Sequence, residues 1–481
     1  MADSLRKSTF KGIVWSSIDR LSGQIVGFVV IVLMSRVLTQ GDYGLVGMIV
    51  IFTDLAQTIT DSGVTQALIR KQDRNQTDCS TAFYFNLGLG IVLYVILYFI
   101  SPLISKFYNQ PELVPITRVI SLSVIINALM MVQKALFTVR IDFKTQTKAS
   151  LTAAIISGGI GIWMAYTGWR VWAIVYYQLI NLIINGILLW FFSSWRPSLT
   201  FSKESFKYFF RFGSNLTIAG IMHAIYKDIY LAAIGKFYQA SALGYYTRAH
   251  QFGALPSFNV SNILQRVTYP ILCKFQDDQE RLHDSFSKFL RLSSYGIFPM
   301  MIGLSMVGKP LVVLLLGESW EYSGVLLSIL CLSMMWMPMD TLNLSLLQVR
   351  GRTDYFLRCE IVKKVVGIAI LIASLPLGLV IVCWGQVLRA LLDLIIDSYY
   401  TGKYMGYGFI SQIKAILPSL ICCGFMAFIM WILMGVFQEN WLKLSTGILS
   451  GVIVYFFTSF LVAPREIKEV RVLINKEKNI D

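Results

Sequence analysis

Residues 171–192 read Val-Trp-Ala-Ile-Val-Tyr-Tyr-Gln-Leu-Ile-Asn-Leu-Ile-Ile-Asn-Gly-Ile-Leu-Leu-Trp-Phe-Phe, a run without one acidic or basic side chain. A helix of about 20 apolar residues is long enough to cross the hydrocarbon core of a bilayer. Comparable runs recur along the chain, for example at residues 87–100, 153–165 and 421–437. The stretch therefore predicts one transmembrane helix among many.

The composition supports this prediction. Of 481 residues, 56% are hydrophobic and 14% are charged, and the mean hydropathy is +0.63. Soluble domains carry roughly 25% charged residues, so a water-soluble fold is excluded. The first apolar stretch is long, contains Asp19 and Arg20, and lacks a small-residue cleavage pattern, so we expect no cleaved signal peptide.

The formal charge of +15 does not indicate a nucleic-acid partner, because the basic residues are spaced between apolar segments and form no contiguous patch. The seven cysteines and three histidines show no metal-ligand spacing. We therefore expect no nucleic acid, metal or cofactor, and we interpret the basic residues as topology signals.

Hydropathy predicts an all-α integral membrane protein with about fourteen transmembrane helices. The predicted segments are residues 11–38, 44–69, 82–105, 115–138, 149–167, 171–193, 207–236, 245–272, 286–316, 322–348, 355–375, 378–402, 412–436 and 441–463.

Alternate connections between these segments differ in charge, as expected when basic residues are retained on the cytoplasmic side. One set of connections is rich in Lys and Arg, including Arg70, Lys71 and Arg74 between segments 2 and 3. The opposite set has few basic residues. Both termini are therefore predicted to be cytoplasmic. All connections are short, which leaves no room for an extramembrane catalytic domain, and we expect the protein not to be an enzyme.

The chain resembles itself at a shift of about 200 residues. Residues 36–44, Arg-Val-Leu-Thr-Gln-Gly-Asp-Tyr-Gly, align with residues 236–244, and residues 136–143 resemble residues 347–355. Six helices separate the copies, so the repeat is parallel, and a cleft between two such lobes is typical of transporters. We predict two pseudo-symmetric six-helix lobes around a central cavity, residues 1–200 and 201–405, followed by two further helices and a cytoplasmic tail in residues 406–481.

Polar side chains inside these helices are the best markers of a site, because a charge near the bilayer centre costs about 2.5–3.5 kcal/mol on insertion scales. Those on helices 1, 2, 7 and 8, which are equivalent pairs under the repeat, are expected to converge on one basic cleft. The residues assigned to substrate binding are Arg20, Gln24, His223, Lys227, Arg248, Asn259, Asn262 and Arg266. Guanidinium groups suit phosphate oxygens and Lys227 adds a point charge, so an anionic cargo is predicted.

Carboxylates in a low-dielectric environment have a raised proton affinity, which makes them candidates for proton or cation coupling. The residues assigned to this role are Asp19, Asp54, Asp61, Asp228 and Asp340.

Two structural interpretations stay open. Asp19 with Arg20, Lys227 with Asp228, and Arg389 with Asp393 are also explained as ion pairs that hold helices together. Alternatively, Arg36, Lys236 and Arg248 lie near predicted helix ends, where basic side chains reach towards the interface.

Residues 36–48, Arg-Val-Leu-Thr-Gln-Gly-Asp-Tyr-Gly-Leu-Val-Gly-Met, resemble the opening signature of the polysaccharide-transporter (Wzx-type) flippases. Residues 242–249, Ala-Leu-Gly-Tyr-Tyr-Thr-Arg-Ala, with Tyr269-Pro270 and residues 317–320, Gly-Glu-Ser-Trp, are similar to that family's second half. The resemblance implies membership of the multidrug, oligosaccharidyl-lipid and polysaccharide (MOP) superfamily, with two lobes around a cavity.

For function, the resemblance implies a flippase that moves polyprenyl-diphosphate-linked oligosaccharides to the outer leaflet of the bacterial inner membrane for lipopolysaccharide O-antigen or exopolysaccharide synthesis. It extends the expected partners to a polysaccharide polymerase and chain-length proteins. The chain has no Walker A pattern, so the energy is expected to come from an ion gradient or from product consumption. The alternatives are a multidrug or cation antiporter of the same superfamily, and a membrane polysaccharide polymerase.

Overall fold

The computed structural model describes Trp15, residues 21–61 and residues 63–469. All regular secondary structure in these described residues is helical. Large apolar side chains such as Phe191, Trp431 and Leu461 are 77%, 67% and 71% exposed. Exposure on this scale is tolerated where the surrounding solvent is hydrocarbon.

The helices are numbered in chain order. Their bounds are α1 Leu21–Ser35, α2 Gln40–Asp61, α3 Val64–Arg70, α4 Gln76–Tyr108, α5 Leu113–Ile120, α6 Leu122–Val139, α7 Phe143–Tyr166, α8 Val171–Phe192, α9 Lys203–Phe237, α10 Ala240–Lys274, α11 Gln279–Leu316, α12 Glu321–Met334, α13 Met337–Val349, α14 Thr353–Ser374, α15 Leu379–Met405, α16 Phe409–Val436 and α17 Asn440–Val462. Short 3-10 turns, Glu318–Trp320 and Leu375–Leu377, precede α12 and α15.

Each of the fourteen predicted segments corresponds to a helix or to a broken helix, which confirms the predicted fold class. Ten of the described helical segments are long and apolar enough to cross a membrane. Helices α9, α10 and α14 do not meet that criterion although they are 35, 35 and 22 residues long. They contain charged and amide side chains within the predicted spans, which lower their hydropathy.

Three segments predicted as continuous helices are interrupted. α2 ends at Asp61 and α3 begins at Val64, α5 and α6 meet at Ser121, and α12 and α13 are separated by two residues. Pro338 at the start of α13 accounts for the last break, since proline fits the first turn of a helix but not its interior. Hydropathy does not detect such breaks, because the flanking residues remain apolar.

Packing divides the chain into two compact units, Met1–Gly244 and Tyr245–Asp481. The first unit includes α9, which contacts α2, α3 and α4. The lobe boundaries at residues 200 and 405 come from the repeat in the sequence, a different criterion from packing, and they stay a prediction.

The backbone independently supports the internal repeat. Ile141, after α6, has a left-handed φ of 56°, and the N–H of Asp142 bonds to the carbonyl of Phe137 at 3.0 Å. The turn after α13 repeats this arrangement 210 residues later, with a φ of 67° at Gly351 and a matching 3.0 Å hydrogen bond from the next residue. Both are Schellman-type helix ends, for which glycine is the favoured residue.

Substitutions at the left-handed residues of the two turns, Ile141 and Gly351, are expected to change the free energy of unfolding in opposite directions. A β-branched side chain in the left-handed region is strained, so Ile141→Gly is expected to raise the free energy of unfolding by about 1 kcal/mol, and Gly351→Ile to lower it by about 1–2 kcal/mol. Thermal unfolding of the purified proteins in detergent measures both. Equal destabilisation by the two substitutions would contradict this account.

The signature in residues 36–44 has two structural roles. Thr39 and Asp42 cap α2 reciprocally, since Thr39 N donates to Asp42 Oδ2 at 2.9 Å and Asp42 N donates to Thr39 Oγ1 at 3.3 Å. Gly44 then permits the first turn of α2 to approach another backbone. The motif is therefore explained by helix geometry.

Gly44 and Gly244, equivalent under the repeat, make a reciprocal contact between the first turns of α2 and α10. A Cβ at Gly44 would lie 1.7 Å from the carbonyl oxygen of Ala240, and one at Gly244 would lie 1.9 Å from that of Gln40. Neither carbonyl is free to move, because it belongs to a helix backbone. Only glycine at both positions allows these helix ends to touch.

We expect Gly44→Ala and Gly244→Ala each to lower the free energy of unfolding by about 1–3 kcal/mol, the usual cost of overpacking. The double variant should lose less than the sum, because either methyl group separates the same two helix ends. Gly41→Ala is the control, since its Cβ would lie 3.7 Å from the nearest atom. Additive losses measured by thermal unfolding would contradict the reciprocal contact.

Candidate functional site

Helices α2 and α9 run antiparallel and pack along their length in the first unit. Gly63, at the break after α2, lies against Gly213 of α9, where a Cβ would be 2.4 Å from the Gly213 Cα. Towards the other end, Met48 lies against Gly235. Between these contacts the two helices present charged side chains to each other.

The central contact of this pair is an ion cluster. Lys227 Nζ lies 2.7 Å from Asp54 Oδ2 and 3.8 Å from Asp228 Oδ1. Asp54 is near the midpoint of the 31-residue helical segment Gln40–Arg70. The cluster is therefore placed deep within the predicted span, where an unpaired charge would be most costly.

The exposure of the cluster is uneven. The Lys227 side chain is 58% exposed and Asp54 is 36% exposed, whereas Asp228 is 2% exposed. His223, one helical turn before Lys227, is also exposed. Because an ammonium group facing hydrocarbon is unfavourable, this face is expected to border water rather than lipid tails.

A second polar cluster lies next to the first, because Gln57 and Asp61 follow Asp54 on α2 by about one and two helical turns. Gln57 Nε2 donates to Asp61 Oδ2, Asn127 of α6 donates to Gln57 Oε1 at 3.0 Å, and Lys134 donates to Asn127 Oδ1 at 3.4 Å. Asp54, Gln57 and Asp61 thus form one polar face of α2, as their spacing predicts.

The sequence analysis assigned Lys227 to substrate binding and Asp54 to proton or cation coupling. The structure shows that the two side chains form an ion pair. With its groups ionised, the cluster holds one ammonium and two carboxylates, so Lys227 is not an isolated cation. Lys227 and Asp228 are within ion-pair distance, but both belong to α9, so it is the contact of Lys227 with Asp54 that joins two helices. The role of Lys227 in substrate binding stays a prediction.

The other predicted site residues are distributed as follows. Asp19 and Arg20 lie outside the described residues, and Gln24 is half-buried on α1. In the second unit, Arg248, Asn259 and Asn262 of α10 are half-buried and Arg266 is exposed. Asn262 donates to the carbonyl of Phe258 on its own helix at 2.7 Å. Convergence of these side chains on one cleft stays a prediction.

The second unit contains a buried ionic centre around Lys363 of α14. Its Nζ lies 2.7 Å from Asp340 of α13, 3.1 Å from Asp397 of α15 and 3.0 Å from Glu360. The Lys363 side chain is 7% exposed and Asp397 is 0% exposed. Asp340, predicted as a coupling residue, is thus one of three carboxylates that surround one ammonium. Arg389 pairs with Asp393 at 3.3 Å, but both lie on α15, so this ion pair does not itself join two helices.

A buried hydrogen-bond network extends from this region. Gln412 of α16 and Asn343 of α13 exchange hydrogen bonds between their amides at 2.7 Å and 3.0 Å. Thr401 of α15 donates to Asn343 Oδ1 at 3.1 Å. All three side chains are fully buried, so the network fixes α13, α15 and α16 relative to one another.

Sequence reasoning missed Lys134, Lys363 and Asp397. A local signal existed for Lys363, because Glu360 precedes it by one helical turn, in a segment that also contains Arg358 and Lys364. Lys134 has no charged residue within four positions of it, and Asp397 has only Asp393, which is a like charge, so only tertiary packing identifies their partners. Among the described residues, no group of three or more His, Cys, Asp or Glu side chains is arranged to hold a metal ion.

Solved structures define the class of protein. The fold is similar to that of a structure titled lipid II flippase MurJ, inward closed conformation, with a TM-score of 0.76 and 15% identity over 95% of this chain and 100% of that one. It is also similar to an inward-facing multidrug resistance MATE family transporter of the MOP superfamily, with a TM-score of 0.62 and 16% identity over 82% and 98%. The chain is thus a multi-pass membrane protein with the MOP transporter fold.

Sequence comparison narrows the class to a family. Residues 33–325 match the polysaccharide biosynthesis protein family, and the chain belongs to it. The chain is 26% identical to the teichuronic acid biosynthesis protein TuaB of Bacillus subtilis, over 94% of this chain and 95% of that protein. It is 27% identical to the lipopolysaccharide biosynthesis protein WzxC of Escherichia coli, over 82% and 81%. These matches confirm the resemblance to polysaccharide transporters and support a transport role.

Proposed function

We propose that this protein is a flippase that moves polyprenyl-diphosphate-linked oligosaccharide repeat units from the inner to the outer leaflet of a bacterial cytoplasmic membrane by alternating access. The observation that carries the proposal is the partly exposed ion cluster of Lys227, Asp54 and Asp228 at mid-span, in a chain of the polysaccharide biosynthesis family. A diphosphate headgroup needs a cationic partner inside the membrane, and Lys227 provides one.

The pairing of Lys227 with Asp54 suggests how cargo binding is coupled to ions. An incoming diphosphate competes with Asp54 for the Lys227 ammonium, because both offer anionic oxygens. Once displaced, the Asp54 carboxylate is left without its ammonium partner, and an incoming cation can take the place of Lys227 beside it. Cargo binding and cation uptake are then linked at one cluster, and we infer that this linkage couples translocation to an ion gradient, which supplies the energy.

The proposal is tested with the full-length protein in proteoliposomes that contain a fluorescent polyprenyl-diphosphate-linked oligosaccharide. A membrane-impermeant reagent reads out headgroups that reach the opposite leaflet. We expect protein-dependent translocation that a proton or sodium gradient accelerates. Transfer no faster than in protein-free liposomes, under any gradient, would refute the proposal.

A cation antiporter is the second candidate, and one observation favours it: the Lys227 cluster contains two carboxylates for one ammonium. This candidate predicts that expression lowers cellular accumulation of cationic dyes, and that Asp54→Asn and Asp228→Asn abolish the effect. Dye export without oligosaccharide translocation in the proteoliposomes would select the antiporter.

A further inference from the structure

A basic and aromatic pocket lies at one end of the second unit, where α13 ends, α14 begins and α15 ends. Its lining includes Gln276, Arg350, Arg352 and Tyr404. Basic connections of the second unit occur at this end, which the charge pattern predicts to be cytoplasmic. The pocket therefore lies at the level where lipid headgroups meet helix ends.

Arg352, one of the two arginines that line the pocket, is held in place by stacking before any ligand binds. The guanidinium carbon of Arg352 lies 4.2 Å from the centroid of the Tyr355 ring and 4.5 Å from that of Tyr404. These two rings are themselves 4.2 Å apart. A guanidinium group stacked in this way loses little conformational entropy when it binds an anion.

Arg352 retains donors for a further acceptor. Asp354 accepts from its Nε and Nη2 atoms, both at 3.2 Å, and Nη1 takes no part in this ion pair. Arg350 is fixed separately by a 2.8 Å hydrogen bond from its Nη1 to the carbonyl of Gln276. Two guanidinium groups thus border the same pocket in constrained positions.

Two more cations flank the aromatic pair. The Arg358 guanidinium lies 5.3 Å from the Tyr355 centroid, and Lys403 Nζ lies 5.7 Å from the Tyr404 centroid. The acidic groups of this cluster are Asp277, on the pocket wall, and Asp354. Four cations against two carboxylates leave an excess of two positive charges.

A cavity of the first unit, between the end of α3 and the start of α9, has its positive charges offset by carboxylates. It is lined by Arg70 and Lys71 but also by Asp73, Asp78 and Glu204. Lys71 Nζ lies 2.7 Å from Asp78, and this hydrogen bond raises the pKa of the Lys71 ammonium. Counted on lining residues alone, the second pocket has two cations, Arg350 and Arg352, for one carboxylate, Asp277, whereas the cavity of the first unit has more carboxylates than cations.

An exposed apolar stripe starts beside the pocket. Leu357, Ile361 and Val365 follow one another at successive turns of α14 and are 58%, 51% and 62% exposed. The stripe begins one residue before Arg358 and five residues after Arg352, so its apolar surface starts roughly 7 Å along α14 from the pocket. A glycerophospholipid has this arrangement, because its phosphate lies next to the ester-linked acyl chains.

We propose that this pocket binds the phosphate of an anionic glycerophospholipid, with the acyl chains along Leu357, Ile361 and Val365. The bilayer supplies such lipids in large excess over any lipid-linked biosynthetic intermediate, so mass action favours them as the resident ligand. The site is separate from the proposed Lys227 cluster, and it does not depend on whether the protein is a flippase.

The proposal is tested by native mass spectrometry of the full-length protein released from nanodiscs of phosphatidylcholine with added phosphatidylglycerol. We expect retained phosphatidylglycerol on the wild type, and roughly tenfold weaker retention for Arg352→Gln with Arg358→Gln, since each loses a charge-assisted contact. Arg352→Lys, which keeps the charge without the planar fork, should lie between them. The control is Arg70→Gln with Lys71→Gln, which should retain the lipid as the wild type does.

Parallel samples distinguish the possible sources of phosphate. If inorganic phosphate or pyrophosphate displaces the lipid at equal concentration, the acyl chains contribute nothing and the lipid assignment is overturned. If a polyprenyl diphosphate is retained in preference to phosphatidylglycerol, the pocket is a cargo site and the proposal is likewise overturned. Equal retention by the wild type and the Arg352 and Arg358 variants also overturns it. Unfolding temperatures of all variants identify any that fail to fold, and for these Arg352→Lys provides the decisive comparison.

Discussion

Lys227→Met is expected to reduce oligosaccharide translocation at least tenfold while the protein still reaches the membrane. The substitution removes the ammonium that contacts Asp54 at 2.7 Å and with it the contact to a diphosphate, and a hydrogen bond between charged groups contributes about 1.5–3 kcal/mol. Side-chain volume is nearly conserved, so packing between α2 and α9 should persist. The measurement is the rate of headgroup translocation in proteoliposomes.

Two variants distinguish charge recognition from general damage. Lys227→Arg keeps the positive charge and should retain most of the activity. Lys309→Met breaks an exposed ion pair with Glu321, in which both side chains are more than half exposed, and should leave translocation unchanged. If Lys227→Met translocates the oligosaccharide as fast as the wild type, Lys227 does not bind the diphosphate. A flippase would then have to bind its cargo through other cationic side chains.

Lys363→Met is expected to produce the largest loss of stability, about 3–5 kcal/mol, because removal of one partner leaves a buried ionic group uncompensated. Asp397 is fully buried, and Asp340 and Glu360 also depend on the Lys363 ammonium. Thermal or denaturant unfolding of the purified protein in detergent measures this loss.

The adjacent lysine provides a matched control. Lys364 lies 3.7 Å from Glu360 and is 29% exposed, so Lys364→Met should cost about 1 kcal/mol or less. Combining Lys363→Met with Asp397→Leu should restore much of the lost stability, since the uncompensated carboxylate is removed together with its partner. Equal losses for Lys363→Met and Lys364→Met would show that the buried centre is not the source of the effect.

The two lysine clusters differ in their expected roles because they differ in exposure. The ammonium of Lys227 is more than half exposed and is accessible to a ligand, whereas Lys363 is enclosed by three carboxylates on α13, α14 and α15. A buried and fully paired lysine holds helices together, and an open one exchanges partners. The transport proposal therefore rests on Lys227 and not on Lys363.

Much of the fold was predictable from the amino-acid sequence, because the bilayer imposes simple rules on it. Apolar runs such as residues 171–192 must form helices, since backbone groups in hydrocarbon need internal hydrogen bonds. The signature in residues 36–44 and its copy 200 residues later identified the repeat and the family. The mid-span positions of Asp54 and Lys227 were also visible, because charges interrupt runs that are otherwise apolar.

Only the tertiary structure decided which of these groups are partners. Asp54 and Lys227 are 173 residues apart, and Lys363 and Asp397 are 34 residues apart, and nothing in local periodicity relates them. Their pairing depends on the rotation of each helix about its axis and on close backbone contacts such as Gly63 with Gly213. Hydropathy determines that a helix crosses the membrane, whereas packing determines which face meets which neighbour, and so whether a charge is open to a ligand or neutralised.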